Sequence, residues 1–177
     1  AQNLTLPYIQ DFSALATGDM LSETGSPTAV AAGTLPGIAS VNSAYQAGGA
    51  IRLGDGGNVG GFTTQPIDAG AAPFVKVSFN AAAWIAATPA PAKLTLTYGS
   101  QSRTVDLQAI GHGWPLSTTD MVWYDVTFTA EATSMALIVT TIAESGVENR
   151  VFVDNLKIQV VNLVSWSEGF EGSVFPP

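Results

Sequence analysis

The run Leu94-Thr95-Leu96-Thr97-Tyr98-Gly99-Ser100-Gln101-Ser102-Arg103-Thr104-Val105-Asp106-Leu107 decides the fold class. Leu94, Leu96 and Tyr98 alternate with Thr95 and Thr97, Gly99-Ser100 is a turn signal, and Arg103 to Leu107 alternates again. Period-two alternation on both sides of a glycine turn reads as a β-hairpin. Further strands follow the same rule on either side. Phe74 to Phe79 is a short apolar-rich strand, and Val122, Tyr124, Val126 and Phe128 share one face of another. Ser134 to Ile142 is rich in β-branched residues, and Val151 to Val161 is the last strong strand.

The first third is less regular. Tyr8 to Ser13 reads as an opening strand, Asp11 to Val41 as mostly loop with short strands, and Ala50–Leu53 and Phe62–Ile67 as two short strands. Ala81 to Ala92 is alanine-rich, but Pro89 and Pro91 forbid a continuing helix, so it reads as a loop. Strands separated by Gly/Pro-rich turns without helical periodicity predict an all-β, two-sheet antiparallel sandwich.

Composition narrows the partners. The chain has 177 residues, no cysteine and a formal net charge of −8, with only six Lys and Arg. Without cysteine there is neither a disulfide framework nor a thiolate metal site. The basic residues Arg52, Lys76, Lys93, Arg103, Arg150 and Lys157 are scattered singly, so nothing forms the basic stripe that nucleic acid requires. No apolar run approaches the about 20 residues of a membrane span, which argues against membrane insertion. Ala1-Gln2-Asn3 reads either as a mature end left by signal cleavage or as an arbitrary start.

The last residues break the pattern. Ser165-Trp166-Ser167-Glu168-Gly169-Phe170-Glu171-Gly172 follows the last strand and parallels Tyr8-Ile9-Gln10-Asp11-Phe12-Ser13-Ala14 near the start. The expectation is a module over 1–162, with 163–177 forming a linker and the start of a following repeat.

Taken in order, Asp11-Phe12, Gly48 to Gly54, Phe62 to Asp68, Val75 to Phe79, Trp123 to Phe128 and Val151 to Ile158 resemble the cleaved-adhesin or choice-of-anchor type of jelly-roll module. Such modules are similar to galactose-binding and MAM-like sandwiches and occur on secreted or cell-surface bacterial proteins. The resemblance spans about Tyr8 to Ile158 and implies a jelly roll, a structural calcium near the first and last strands, and a ligand-binding or adhesive role. It names no ligand, because one fold hosts many functions.

Asp154 is the most informative single residue. Regular alternation puts it on one face with Phe152, Leu156 and Ile158, at the rim of the core. A buried carboxylate needs a partner, and bases are scarce here. A calcium ion, which takes roughly six to eight oxygen ligands, would supply one. A bulge turning Asp154 outward, or hydrogen bonding to backbone, are the alternatives. The resemblance also places the family's closing Asp-Asn at its calcium site and makes Asp11 the second ligand. The chain departs from the pattern there, since Ser13 stands where the family often has Glu. Asp19, Glu23, Asp55 and carbonyls near Gly48–Gly49 are further candidates.

Other motifs carry less. Gly54 to Gly61 lacks the following helix and lysine of a phosphate cradle and reads as a loop between strands. His112 is the single histidine, with no Gly-x-Ser-x-Gly elbow, so no catalytic residue is assigned. Trp84, Trp114 and Tyr45, placed in loops, are the candidate ligand-binding residues, because a flat aromatic face suits the C–H face of a pyranose. Trp123 lies opposite Val122 and Tyr124 on its strand, either exposed or packed in a second layer. The expected function is a noncatalytic extracellular module binding glycan or protein, appended to a larger protein. A calcium-stabilised spacer and a glycan-active hydrolase are the alternatives.

Overall fold

A computed structural model describes residues 3–16, 28–84, 91–108 and 118–162. Among these residues twelve strands run in chain order: β1 Tyr8–Gln10, β2 Thr28–Ala29, β3 Ile38–Asn42, β4 Ala44–Gln46, β5 Ile51–Leu53, β6 Gly61–Thr64, β7 Phe74–Ala83, β8 Ala92–Tyr98, β9 Gln101–Leu107, β10 Val122–Thr129, β11 Leu137–Thr141 and β12 Val151–Val161. One sheet has seven strands in the order β10-β7-β12-β5-β4-β2, with β1 also beside β12. The other has five, in the order β3-β6-β11-β8-β9. All strand pairs are antiparallel, and the described residues contain two short 3-10 turns and no α-helix. The chain is therefore an all-β, two-sheet antiparallel sandwich of jelly-roll type.

The alternation that predicted the strands also builds the core. Leu94, Leu96 and Tyr98 of β8 face inward and meet Leu137 and Val139 of β11 and Phe128 of β10 in one cluster. Tyr98 and Phe128 pack with ring centroids 5.6 Å apart, and Phe12 meets Phe62 edge-on at 6.1 Å. The hairpin turns where expected: Tyr98 pairs with Gln101, and Gly99 takes a left-handed φ of 62° that a side chain would strain.

Several boundaries move. β1 ends at Gln10 rather than Ser13, because Phe12 turns left-handed at φ 56° and drops into the core. β7 runs on through Ala83, so Ala81–Ala83 belong to a strand and not to the expected loop. Tyr45 lies in β4, not in a loop. The strand expected over Ser134–Ile142 is shorter, Leu137–Thr141. The reading of 163–177 as a linker and new repeat lies outside the described residues.

A second, smaller cluster covers part of the outward face of the seven-stranded sheet. Ala47, Ala50, Ala82, Met121 and Phe152 pack there with Trp84 against them. Phe152 and Ala82 are paired neighbours, each flanked by residues that face the main core.

Candidate functional site

The register of β12 against β7 breaks between Asp154 and Lys157. Asn155, at φ 51°, is the extra residue of a β-bulge. Regular alternation had put Asp154 on one face with Phe152, Leu156 and Ile158. The bulge splits that set: Leu156 and Ile158 join the main core, while Phe152 and Asp154 face outward. An inserted residue reverses the parity of everything beyond it, which is the physical reason for the correction.

Facing outward does not free Asp154, which is only 4% exposed. β1 covers β12 at Leu156–Ile158 and β5 covers it at Val151–Val153. Asp154 and Asn155 thus stand where one neighbour ends and the next begins. The chain leaves β1 through Asp11 and enters β5 through Gly48-Gly49-Ala50, and the amide of Gly49 donates to the Leu15 carbonyl at 2.8 Å. Burial pushes the Asp154 carboxyl up to about 6. The amide of Asn155, donating to Asp154 Oδ1 at 2.8 Å, opposes this, and the negative charge of Asp11 adds to it. Asp11 is exposed, and hydrogen bonds from Ser13 hold its carboxyl below the usual range, the backbone amide reaching Oδ1 at 3.0 Å.

The charge of Asp11 is thus felt at Asp154 although the two lie at opposite ends of the sandwich sequence. A divalent cation fits this donor set chemically, since it would relieve both the burial of Asp154 and its repulsion with Asp11. No group of three or more Asp, Glu, His or Cys converges among the described residues, so the remaining donors would be main-chain or amide oxygens. Asp55 is engaged elsewhere, accepting from the amides of Gly57 and Asn58 and from the Tyr45 hydroxyl, each at 2.9 Å. Asp19 and Glu23 lie outside the described residues.

The aromatic candidates divide. Trp84 is half-buried against the second cluster, with the Arg150 guanidinium 3.7 Å above its ring. Glu148 fixes that arginine through bonds of 2.6 and 3.1 Å. Tyr45 has Arg52 over its ring at 4.6 Å and its hydroxyl on Asp55. In both, a guanidinium lies over one ring face. Trp114 and His112 lie outside the described residues.

Trp123 is different. On β10 it is 55% exposed, on the outward face of the seven-stranded sheet. Register places it beside Asn80 of β7, which in turn lies beside Asp154 of β12. Asn155 Nδ2 donates to Asn80 Oδ1 at 3.2 Å, tying β12 to the middle of the row. The Lys76 ammonium lies over the indole, 5.7 Å from its centroid, and pairs with Asp125 at 3.2 Å. The face therefore offers a flat apolar surface beside an amide and a neutralised charge pair. Its signal was present in the alternation of β10, which set Trp123 opposite two inward apolar residues.

No protein-family model matches the chain, and no curated protein matches it either. Among solved structures it is similar to the enzymatically active domain of bacteriophage CBA120 tailspike protein 4, with 10% identity, 67% of this chain and 15% of that chain covered, and a TM-score of 0.43. It is also similar to BtGH115A, a GH115 4-O-methyl-α-glucuronidase with specificity for decorated arabinogalactans, with 13% identity, coverage of 92% and 18%, and a TM-score of 0.48. A third is the CBM22-1 xylan-binding domain from Paenibacillus barcinonensis Xyn10C, with 15% identity, coverage of 93% and 99%, and a TM-score of 0.44. The chain spans less than a fifth of the first two proteins and nearly the whole of the third.

Proposed function

We propose that this chain is a noncatalytic glycan-binding module of the adhesin type, carried by a larger secreted or cell-surface bacterial protein. The observation that carries the reading is Trp123: a large, exposed indole on a sheet face, flanked by Asn80 and the Lys76–Asp125 pair. Stacking on an aromatic face combined with a few oriented polar groups is the chemistry of sugar recognition. In this reading Asp11 and Asp154, the first of which raises the carboxyl of the second, serve the scaffold rather than a reaction. Asp154 sits within the sheet at 4% exposure, where it cannot approach a scissile bond.

In this reading calcium joins Asp11 and Asp154 with main-chain oxygens. When bound, the ion supplies charge neutralisation between the opening and closing strands. Asp154 and Asn155 then hold Asn80, and Asn80 stands next to Trp123.

The test is a glycan array probed with the wild type and with Trp123→Ala, each in calcium and in chelator. The reading predicts retention on at least one glycan class, weakened at least about tenfold by Trp123→Ala. Retention that is unchanged in Trp123→Ala would contradict it. Retention nowhere on the array, with melting still sensitive to calcium, would favour the spacer.

A further inference from the structure

A cleft of about 510 Å³ opens at the rim of the sandwich, between the segment that leads into β1 and the turn before β3. Asn3, Leu4, Thr5, Tyr8, Pro36, Gly37 and Gln65 line it. Its volume falls in the range of roughly 300–1,000 Å³ typical of small-ligand sites. It is separate from the Trp123 face: Tyr8 pairs with Ile158 at the β1 side of β12, whereas Trp123 lies across β7 on β10.

The aromatic wall of the cleft is held rigidly. The Tyr8 hydroxyl donates to the Pro36 carbonyl at 2.6 Å, and Gln10 Nε2 approaches both oxygens at 3.4 Å. The ring lies directly on Gly37, where a Cβ would come 2.5 Å from a Tyr8 ring carbon. Gly37 has a φ of 86°, so a side chain is excluded there twice over, by backbone strain and by the ring. Its carbonyl accepts from the backbone N–H of Gln65 at 2.8 Å, which fixes the opposite wall.

The lining chemistry selects the ligand. No charged side chain lines the cleft, so an ionic ligand would find no partner there. The net charge of −8 further disfavours anions. Gln65 brings an amide and Thr5 a hydroxyl, groups that both donate and accept, while the Asn3 amide already donates to the Ser134 hydroxyl at 2.9 Å and offers its remaining valences. A purely apolar ligand would bury these unpaired at a cost, whereas vicinal sugar hydroxyls match them. Tyr8 adds a flat wall for a C–H face.

We infer that this cleft is a second carbohydrate subsite, which takes one neutral pyranose ring. It rests on the glycan-binding reading for the class of ligand, but not on Trp123.

The test titrates the whole chain with neutral methyl glycosides of xylose, mannose, glucose and galactose, with methyl glucuronide as the charged arm. Resonances of the Gly37 amide and the Gln65 side chain are followed by NMR, and neutral hexasaccharides are run beside the monosaccharides to separate a chain end from a free sugar. At least one neutral glycoside is expected to move both resonances saturably. Gln65→Ala should weaken it about fivefold, the loss of one hydrogen bond. Gln65→Trp, which fills the cleft, should abolish it, while Trp123→Ala leaves it unchanged. Silence at Gly37 and Gln65 with every neutral glycoside overturns the subsite, as does unaltered binding in Gln65→Trp. Equal binding of the glucuronide overturns its neutral selectivity. If the cleft is silent while Trp123→Ala still loses glycan retention, the second site fails and the proposed function stands. Failure of both together removes the glycan reading itself.

Discussion

The two sheets bury their inward faces in the same way, yet their outward faces are unlike. On the five-stranded sheet the outward rows run Thr63–Ile138–Thr97–Ser102 and Gly61–Thr140–Thr95–Thr104. Apart from Ile138 and Gly61 they bear hydroxyls, with those of Thr97 and Ser102 3.0 Å apart. None of these positions carries an aromatic ring or a charge. On the seven-stranded sheet the outward face holds a second apolar cluster around Phe152, a carboxylate at 4% exposure, and an indole at 55%. A sandwich needs only one side of each sheet to be apolar. Outward positions are therefore unconstrained by the core, and what is placed there against the cost of burial or exposure reports on function. The proposed site lies on the outward face of the seven-stranded sheet, while the opposite face carries mainly threonines, with Ile138 and the cross-strand Lys93–Asp106 pair among them.

Substitutions should separate the faces, and the largest contrast is in stability. Phe152→Ala removes the centre of the second cluster and should cost about 3–5 kcal/mol. Thr97→Ala, at an outward position of the other sheet, should cost no more than about 1 kcal/mol. Urea unfolding of both variants measures this, and equal losses would erase the distinction between the faces.

Next comes the cation. At a calcium concentration near a hundredfold over Kd, chelation should remove about 2.7 kcal/mol and lower the melting temperature by roughly 5–11 °C for a domain of this size. Asp154→Asn should abolish most of that sensitivity, whereas Asp106→Asn, outward on β9, should leave it intact. The same melting temperature in millimolar calcium and in excess chelator would remove the ion from the account.

The pH response is smaller and has a definite sign. In chelator, the folded carboxyl of Asp154 titrates near 6 against an ordinary value of 3.8, so the folded chain holds its proton over that window. That group's stabilisation is fully present below the ordinary value and is lost as pH rises through about 6. Asp11, held low by Ser13, contributes the opposite trend at more acid pH. In chelator the slope of stability between pH 4 and 6 should therefore be more negative in the wild type than in Asp154→Asn. With calcium bound, the wild-type slope should reverse, because the ion favours the ionised carboxylate. Identical slopes in both proteins would show that Asp154 is not held protonated.

Trp123→Ala should have the smallest thermodynamic effect, within about 0.5 kcal/mol, since an exposed side chain leaves no cavity. A larger loss, read from the same urea curves, would mean that the indole serves packing.

Much of this was legible in the residues. Alternation located β7 to β12 in outline and the hairpin at Gly99-Ser100, because inward positions every second residue leave a strong signal. It also set Trp123 outward. It left the alternatives at Asp154 open, because a bulge carries no mark in composition; the bulge at Asn155 is the one that holds, and Asp154 shares the face of Phe152 rather than that of Leu156 and Ile158. The coverage of Trp84 by Arg150 and of Tyr45 by Arg52 depends on which strands become neighbours, and local pattern is silent on that. Short strands such as β2 and β4 are too brief for periodicity and form by pairing with β5 and with each other.

The central claim is that recognition belongs to the outward face of the seven-stranded sheet. Its most direct test is NMR mapping of a glycan selected on the array, titrated into the calcium-loaded chain. The account predicts the largest shifts at the Trp123 indole N–H and the Asn80 side-chain amide, with Thr63, Thr97 and Thr104 unmoved. Shifts centred on Thr97 and Ile138, with the Trp123 indole unchanged, would contradict it.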